Sequence, residues 1–131
     1  MGRIPVVIVS VGVDAVEIAR IEDLLARDGS GFARRVFTDA EASYCRSVAR
    51  PAQSFAARFA AKEAVLKCLR TGWSSGTGFR EVEVVRAADG SVSVQLHGEA
   101  AALARRLGIG SIALSLTHTA TTATAFAVAS S

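Results

Sequence analysis

The stretch Phe55–Lys67, "FAARFAAKEAVLK", puts two ammonium groups and a carboxylate into one apolar run. Lys62 and Lys67 are the only lysines in the chain, and Glu63 stands between them. A carboxylate at the rim of a packed helix can hold a hard metal ion, and a lysine beside it can face phosphate. The same residues also have a plainer reading. Glu63 and Lys67 form an i,i+4 pair in the favourable order, and Lys62 can lay its stem along the helix and reach water.

Other positions carry similar double meanings. Asp14 follows the apolar run "VVIVSVGV" (Val6–Val13), and a carboxylate closing a buried strand is held rigidly. Yet "DAVE" is itself a D-x-x-E pattern, so Asp14 with Glu17 can simply start a helix. Taken alone, the cap is the simpler role. His118, in "SLTHT", stands where a strand pattern runs out; it suits phosphate binding or proton transfer, or a structural hydrogen bond. Arg20, Leu24 and Arg27 lie near one another along one helix, as a docking face or a solvated edge.

The elements that must position these groups are legible in outline. Val6–Val13 reads as a buried strand ended by Asp14, and "AVEIARIEDLLARDG" as an amphipathic helix with Gly29 beyond its end. "TDAE" (Thr38–Glu41) has the capping-box form and opens a short helix through Tyr44. Pro51 breaks the chain before a long helix over 53–70. At ~100° per residue, Phe55, Phe59, Leu66 and Leu69 share one face, while Ala57, Ala60, Ala61, Ala64 and Cys68 share the other. Both faces suit packing, as for a helix in the middle of a structure. Thr71–Gly78 is a glycine- and serine-rich loop, and Glu81–Leu96 alternates on both sides of Asp89-Gly90 as a β-hairpin. "EAAALARRLG" is a helix closed by Gly108, and "SIALSLTH" and "TATAFAVAS" are two last strands. The expected fold class is α+β: one domain over 1–131, a long central helix on a largely antiparallel sheet.

The bulk numbers exclude several classes. With 131 residues, half of them hydrophobic, the chain suffices for one folded core and is too short for two ordinary domains. No apolar run is long enough for a membrane span, and no secretory signal is recognisable. Cys45 and Cys68 sit in no metal-binding spacing, which fits reduced thiols in a cytoplasm. Net charge is +3, and thirteen of the fifteen basic residues are arginine, scattered rather than run together. That admits an acidic partner or an anionic ligand. A non-enzymatic basic module binding polyanions or a carrier protein is the rival reading, but a single tryptophan and tyrosine and the lack of a basic stripe speak against nucleic acid.

In order, "GVDAVEIARI", "FAARFAAKEAVLK", "TGWSSGTGFREVEV" and "SLTHT" resemble the holo-(acyl-carrier-protein) synthases, the small bacterial-type 4′-phosphopantetheinyl transferases. The resemblance covers nearly the whole chain from Val11. Gly12-Val13-Asp14 meets the family's G-[IVT]-D element, and Phe59, Lys62, Glu63, Ala64 and Lys67 meet F-x-x-K-E-[AS]-x-x-K, about fifty residues later. Residues 1–10 and Thr71–Gly78 run slightly longer than in many relatives.

The resemblance implies transfer of 4′-phosphopantetheine from coenzyme A to a serine of apo acyl carrier protein, releasing adenosine 3′,5′-bisphosphate. It implies Asp14 and Glu63 as Mg²⁺ ligands and Lys67 as the group facing the pyrophosphate. The serine proton goes to Glu63 or to water on the metal. Arg58, Lys62 and His118 match positions near the coenzyme A phosphates, His118 at the 3′-phosphate. Carrier-protein docking falls to Arg20, Leu24, Arg27 and Phe32, the last three with a one-residue shift near Gly29–Gly31. A homotrimer with interfacial sites is implied as well, in which His118 comes from a different subunit than Asp14 and Glu63.

Overall fold

The computed structural model describes residues 4–27, 31–71 and 78–131. Along the chain the elements are β1 (Ile8–Glu17), α1 (Ile18–Ala26), α2 (Phe32–Val36), α3 (Asp39–Ser47) and α4 (Pro51–Cys68). A 3-10 turn (Phe79–Glu81) then leads into β2 (Val82–Arg86), β3 (Val92–Leu96), α5 (Gly98–Arg106), β4 (Ser111–His118) and β5 (Thr122–Ser130). The strands form an antiparallel sheet in the order β1-β5-β4 and a separate β2-β3 hairpin.

Helix α4 explains its own lack of a wet face. On one side it packs against β1 and β5, where β5 offers a row of fully buried alanines, Ala123, Ala125, Ala127 and Ala129. Ala60, Ala61 and Ala64 of α4 are equally buried, so methyl groups set the spacing between helix and sheet. On its other side an aromatic cluster covers it: Phe32 lies 6.0 Å from Phe37 and 5.9 Å from Phe59, Phe37 lies 4.9 Å from Phe55, and Phe59 stacks on Phe79 at 5.5 Å.

Among the described residues nothing covers the far face of the sheet. Val13 pairs with Phe126 and Val11 with Val128, and Val11, Val13 and Phe126 are 55%, 52% and 44% exposed. The unbroken apolar run therefore does not mark a strand buried on both faces, as its continuity predicted; β1 is an edge strand with one covered and one open face.

Other boundaries moved for physical reasons. Asp14 does not end β1, because pairing with β5 continues to Glu17 opposite Thr122 and Ile18 N–H then donates to Thr121 O at 2.9 Å. Helix α1 accordingly starts at Ile18, later than its apolar spacing suggested. Pro51 is the first residue of α4 rather than a break ahead of it, the position where its missing N–H costs nothing. Helix α2 was not foreseen; five residues are too few to show a period.

Other expectations hold, while Gly29 beyond α1 lies outside the described residues. The capping box is formed, with Glu41 N–H donating to Thr38 Oγ1 (3.2 Å) and Thr38 N–H to Glu41 Oε1 (2.8 Å), and α3 runs on to Ser47. The hairpin, α5 and both final strands lie where the pattern put them. Most of the Thr71–Gly78 loop, residues 72–77, falls outside the described residues.

Candidate functional site

Gly12 brings the first set of groups together. A Cβ there would overlap the Ala64 carbonyl oxygen and lie 3.2 Å from Lys67 Cβ, so only hydrogen lets β1 approach α4 this closely. Two residues on, and therefore on the same face of the strand, Asp14 lands beside Lys67. Lys67 Nζ donates to Asp14 Oδ1 at 3.1 Å and to Val13 O at 2.8 Å. Glu63, one turn earlier on α4, is half-buried. Burial pushes its carboxyl up from the usual range, and the Asp14 carboxylate pushes it further, against Lys67 and Arg20. Asp14, Glu63, Lys67 and Arg20 thus share one electrostatic neighbourhood.

Two of the plainer readings fail here. Lys67 reaches across to Asp14 instead of pairing with Glu63 along the helix. Asp14 caps nothing: Glu17 is the N-cap of α1, and no side chain bonds to that helix start.

Lys62 requires a correction on both counts. Its side chain is 0% exposed, so it neither snorkels to water nor reaches a ligand. Nζ donates to Glu41 Oε1 (2.7 Å), Val82 O (2.6 Å) and Phe79 O (3.0 Å), which uses all three donors. Burial pulls this ammonium down from the usual lysine range and Glu41 pulls it back up; three acceptors at such distances are what a protonated amine needs. Lys62 is a structural cation, not a contact for coenzyme A.

Arg58 and His118 meet elsewhere. Both line a cavity of about 440 Å³, with Arg50, Arg86 and Tyr44 beside apolar Val48, Val92 and Leu116. The Arg58 guanidinium lies over the Tyr44 ring at 4.4 Å, and Arg86 approaches the same ring at 5.7 Å. Arg58 donates to Ser54 Oγ at 3.1 Å, while its Nε is buried and unsatisfied among the described residues. A buried guanidinium with a spare donor, flanked by two more arginines and an imidazole, suits an anion. Sequence reading missed Arg50, Arg86 and Tyr44. They come from three segments, and no local spacing links them.

None of Asp14, Glu63 and Lys67 lines that cavity. Asp14 is on β1 and His118 ends β4, at opposite edges of the sheet with β5 between them. The two halves of the expected site are therefore separate within one chain.

The carrier-docking residues also divide. Leu24, Arg27 and Phe32 line one depression together with Leu25, Arg34 and Arg46. Phe32 is its floor, since its ring belongs to the aromatic core. Arg20 is exposed on α1 and lies near Glu63.

Over residues 10–125 the chain matches the family described as the 4′-phosphopantetheinyl transferase superfamily. It is 43% identical over 113 residues to a holo-[acyl-carrier-protein] synthase of Solibacter usitatus, covering 86% of this chain and 90% of that one. The fold is similar to that of the holo-[acyl-carrier-protein] synthase of Neisseria meningitidis, with a TM-score of 0.84 and 31% identity, covering 94% and 98% of the two chains. It is also similar to the Helicobacter pylori enzyme solved in complex with coenzyme A, with a TM-score of 0.80 and 28% identity over 92% and 99%.

Proposed function

The chain belongs to the 4′-phosphopantetheinyl transferase superfamily, and from that premise we infer that it acts as a holo-[acyl-carrier-protein] synthase. It transfers 4′-phosphopantetheine from coenzyme A to a serine of apo acyl carrier protein and releases adenosine 3′,5′-bisphosphate. The observation that carries the site assignment is the meeting of Asp14, Glu63 and Lys67 where Gly12 lets β1 touch α4.

The bond broken joins two phosphates, so negative charge grows on oxygens that must be held. Asp14 and Glu63 are the ligands we assign to Mg²⁺. Two neighbouring carboxylates, one of them raised by burial and further by the other's charge, suit a dication, and Mg²⁺ accepts few protein ligands and keeps its waters. No cluster of three or more metal-binding side chains occurs among the described residues. Bound there, Mg²⁺ supplies neutralisation of the pyrophosphate charge. Lys67 adds a second positive group at the same edge. The serine proton goes to Glu63 or to a water held at the site. Arg58 and His118, with Arg50 and Arg86, take the phosphates at the nucleotide end of coenzyme A.

We further propose a homotrimer whose sites lie between subunits, with Arg58 and His118 of one chain facing Asp14 and Glu63 of the next. The open apolar face of the sheet and the separation of the two half-sites support this. Carrier docking falls to Leu24 and Arg27, where arginines rim the apolar floor of Phe32, and to Arg20 near Glu63. A cytoplasmic setting agrees with two free, buried thiols. Among the described residues no helix is long and apolar enough to cross a membrane. A basic module without catalysis would leave the carboxylate pair without a purpose.

The test is intact-protein mass spectrometry of an apo acyl carrier protein incubated with coenzyme A, Mg²⁺ and this protein. One phosphopantetheine should be added, with no addition when Mg²⁺ is chelated and at least a hundredfold slowing in Glu63→Gln. Undiminished modification by Glu63→Gln would remove the metal assignment; no modification of any carrier would remove the activity.

A further inference from the structure

We propose that Lys67 is the resident counter-cation of the Asp14–Glu63 pair, and that a divalent cation binds this site in competition with it. The inference rests on the reading of Asp14 and Glu63 as metal ligands. Its ground is which partner the ammonium has chosen. Glu63 is one turn away on the same helix, yet Nζ crosses to β1 and bonds Asp14 Oδ1 at 3.1 Å and Val13 O at 2.8 Å.

That choice has two effects. Asp14 is paired and oriented by a group that also grips the preceding carbonyl, that of Val13, and one of its oxygens is committed to a donor. Two neighbouring carboxylates, one half-buried, would otherwise repel each other with less compensation. Arg20 is the other cation acting on Glu63, through space from α1. Lys67 therefore does in the metal-free chain what a dication would do in the loaded one: it supplies positive charge to both acids. The Lys67 side chain is half exposed and the Asp14 side chain largely covered, so the ammonium is the member free to yield.

When a dication takes the carboxylates, Nζ loses its reason to stay on Asp14 but keeps the Val13 carbonyl as an anchor. A tethered ammonium is then available to an anionic oxygen at the site. Metal loading and the readiness of Lys67 for phosphate become one event, with Lys67 acting as a positioning residue for Asp14 beforehand.

The experiment measures Mg²⁺ binding without either substrate, by calorimetry and by the rise in thermal midpoint, at fixed ionic strength. Wild type is compared with Lys67→Met, Lys67→Gln and Lys67→Arg, and with Asp14→Asn and Glu63→Gln as site controls. Competition predicts that Lys67→Met and Lys67→Gln unfold at lower temperature without metal. They should also bind Mg²⁺ about fivefold to tenfold more tightly and gain more in midpoint from it, while Lys67→Arg stays near wild type. Equal or weaker binding in both neutral variants, with the site controls abolishing it, would overturn the counter-cation and leave the metal site standing. Binding that ignores Asp14→Asn and Glu63→Gln would instead overturn the metal site, and the inference with it.

Discussion

A lysine sealed from water has to be matched almost atom for atom, and Lys62 shows the cost of breaking such a match. Its partner Glu41 also accepts from Thr38 N–H through Oε1 and from Val84 N–H through Oε2, both at 2.8 Å. One carboxylate and one ammonium thus tie together the start of α3, the middle of α4 and the hairpin. Lys62→Met should destabilise the protein by about 3–5 kcal/mol in chemical denaturation, because Glu41 is left charged and buried. Adding Glu41→Gln should recover part of that loss. Adjacent in sequence, Lys62 and Glu63 read alike; a turn of ~100° sends one to the sealed side and the other to the rim. Which side was sealed depended on β2 and the 3-10 turn, far along the chain, and no local pattern records that. Glu83 makes a complementary case. It bonds His97 Nε2 and Thr38 Oγ1, both at 2.9 Å, and the His97 bond above all holds its carboxyl below the ordinary 4.5. A carboxyl lowered by folding stabilises in full above its unfolded value and loses that contribution as pH falls through its folded one. Wild type should therefore exceed Glu83→Gln in thermal midpoint at neutral pH, with the gap closing as pH drops below 4.5.

Between elements, the contact that matters is β1 against α4. Gly12→Ala must push the strand off the Ala64 carbonyl, at about 1–3 kcal/mol for an overpacked interior. Because Asp14 and Lys67 flank the contact, transfer from coenzyme A should fall more than the loss of stability explains, as rate assays on the folded variant would show. Most elements here were legible from pattern: the capping box, the hairpin, α5, β4 and β5 all sit as read. The errors fell where tertiary pairing overrules local signals. "DAVE" has a helix-start form, yet a ladder with β5 keeps it extended to Glu17. The chemical site was legible only through the resemblance, since spacing alone left Glu63 with Lys67 and Asp14 as a cap.

At the scale of the molecule, one sheet carries Asp14 at one edge and His118 at the other, and an apolar face that no described residue covers. If three copies close that face, Phe126→Asp should give a monomer by light scattering and lose transfer activity, Phe126 standing opposite Val13 on the open face. The length and composition predicted one domain; that its sheet would leave a face open is a property of strand order, which composition does not carry. The alanine row of β5 has a further consequence. Helix and sheet are separated by a shim of methyl groups, with a single hydrogen where Gly12 meets Ala64. The gap between one carboxylate on the sheet and another on the helix is thereby gauged by side chains with no chemistry of their own. Each added methylene along that row would shift the setting of the jaws, so tolerance to mutation here should track thickness rather than polarity.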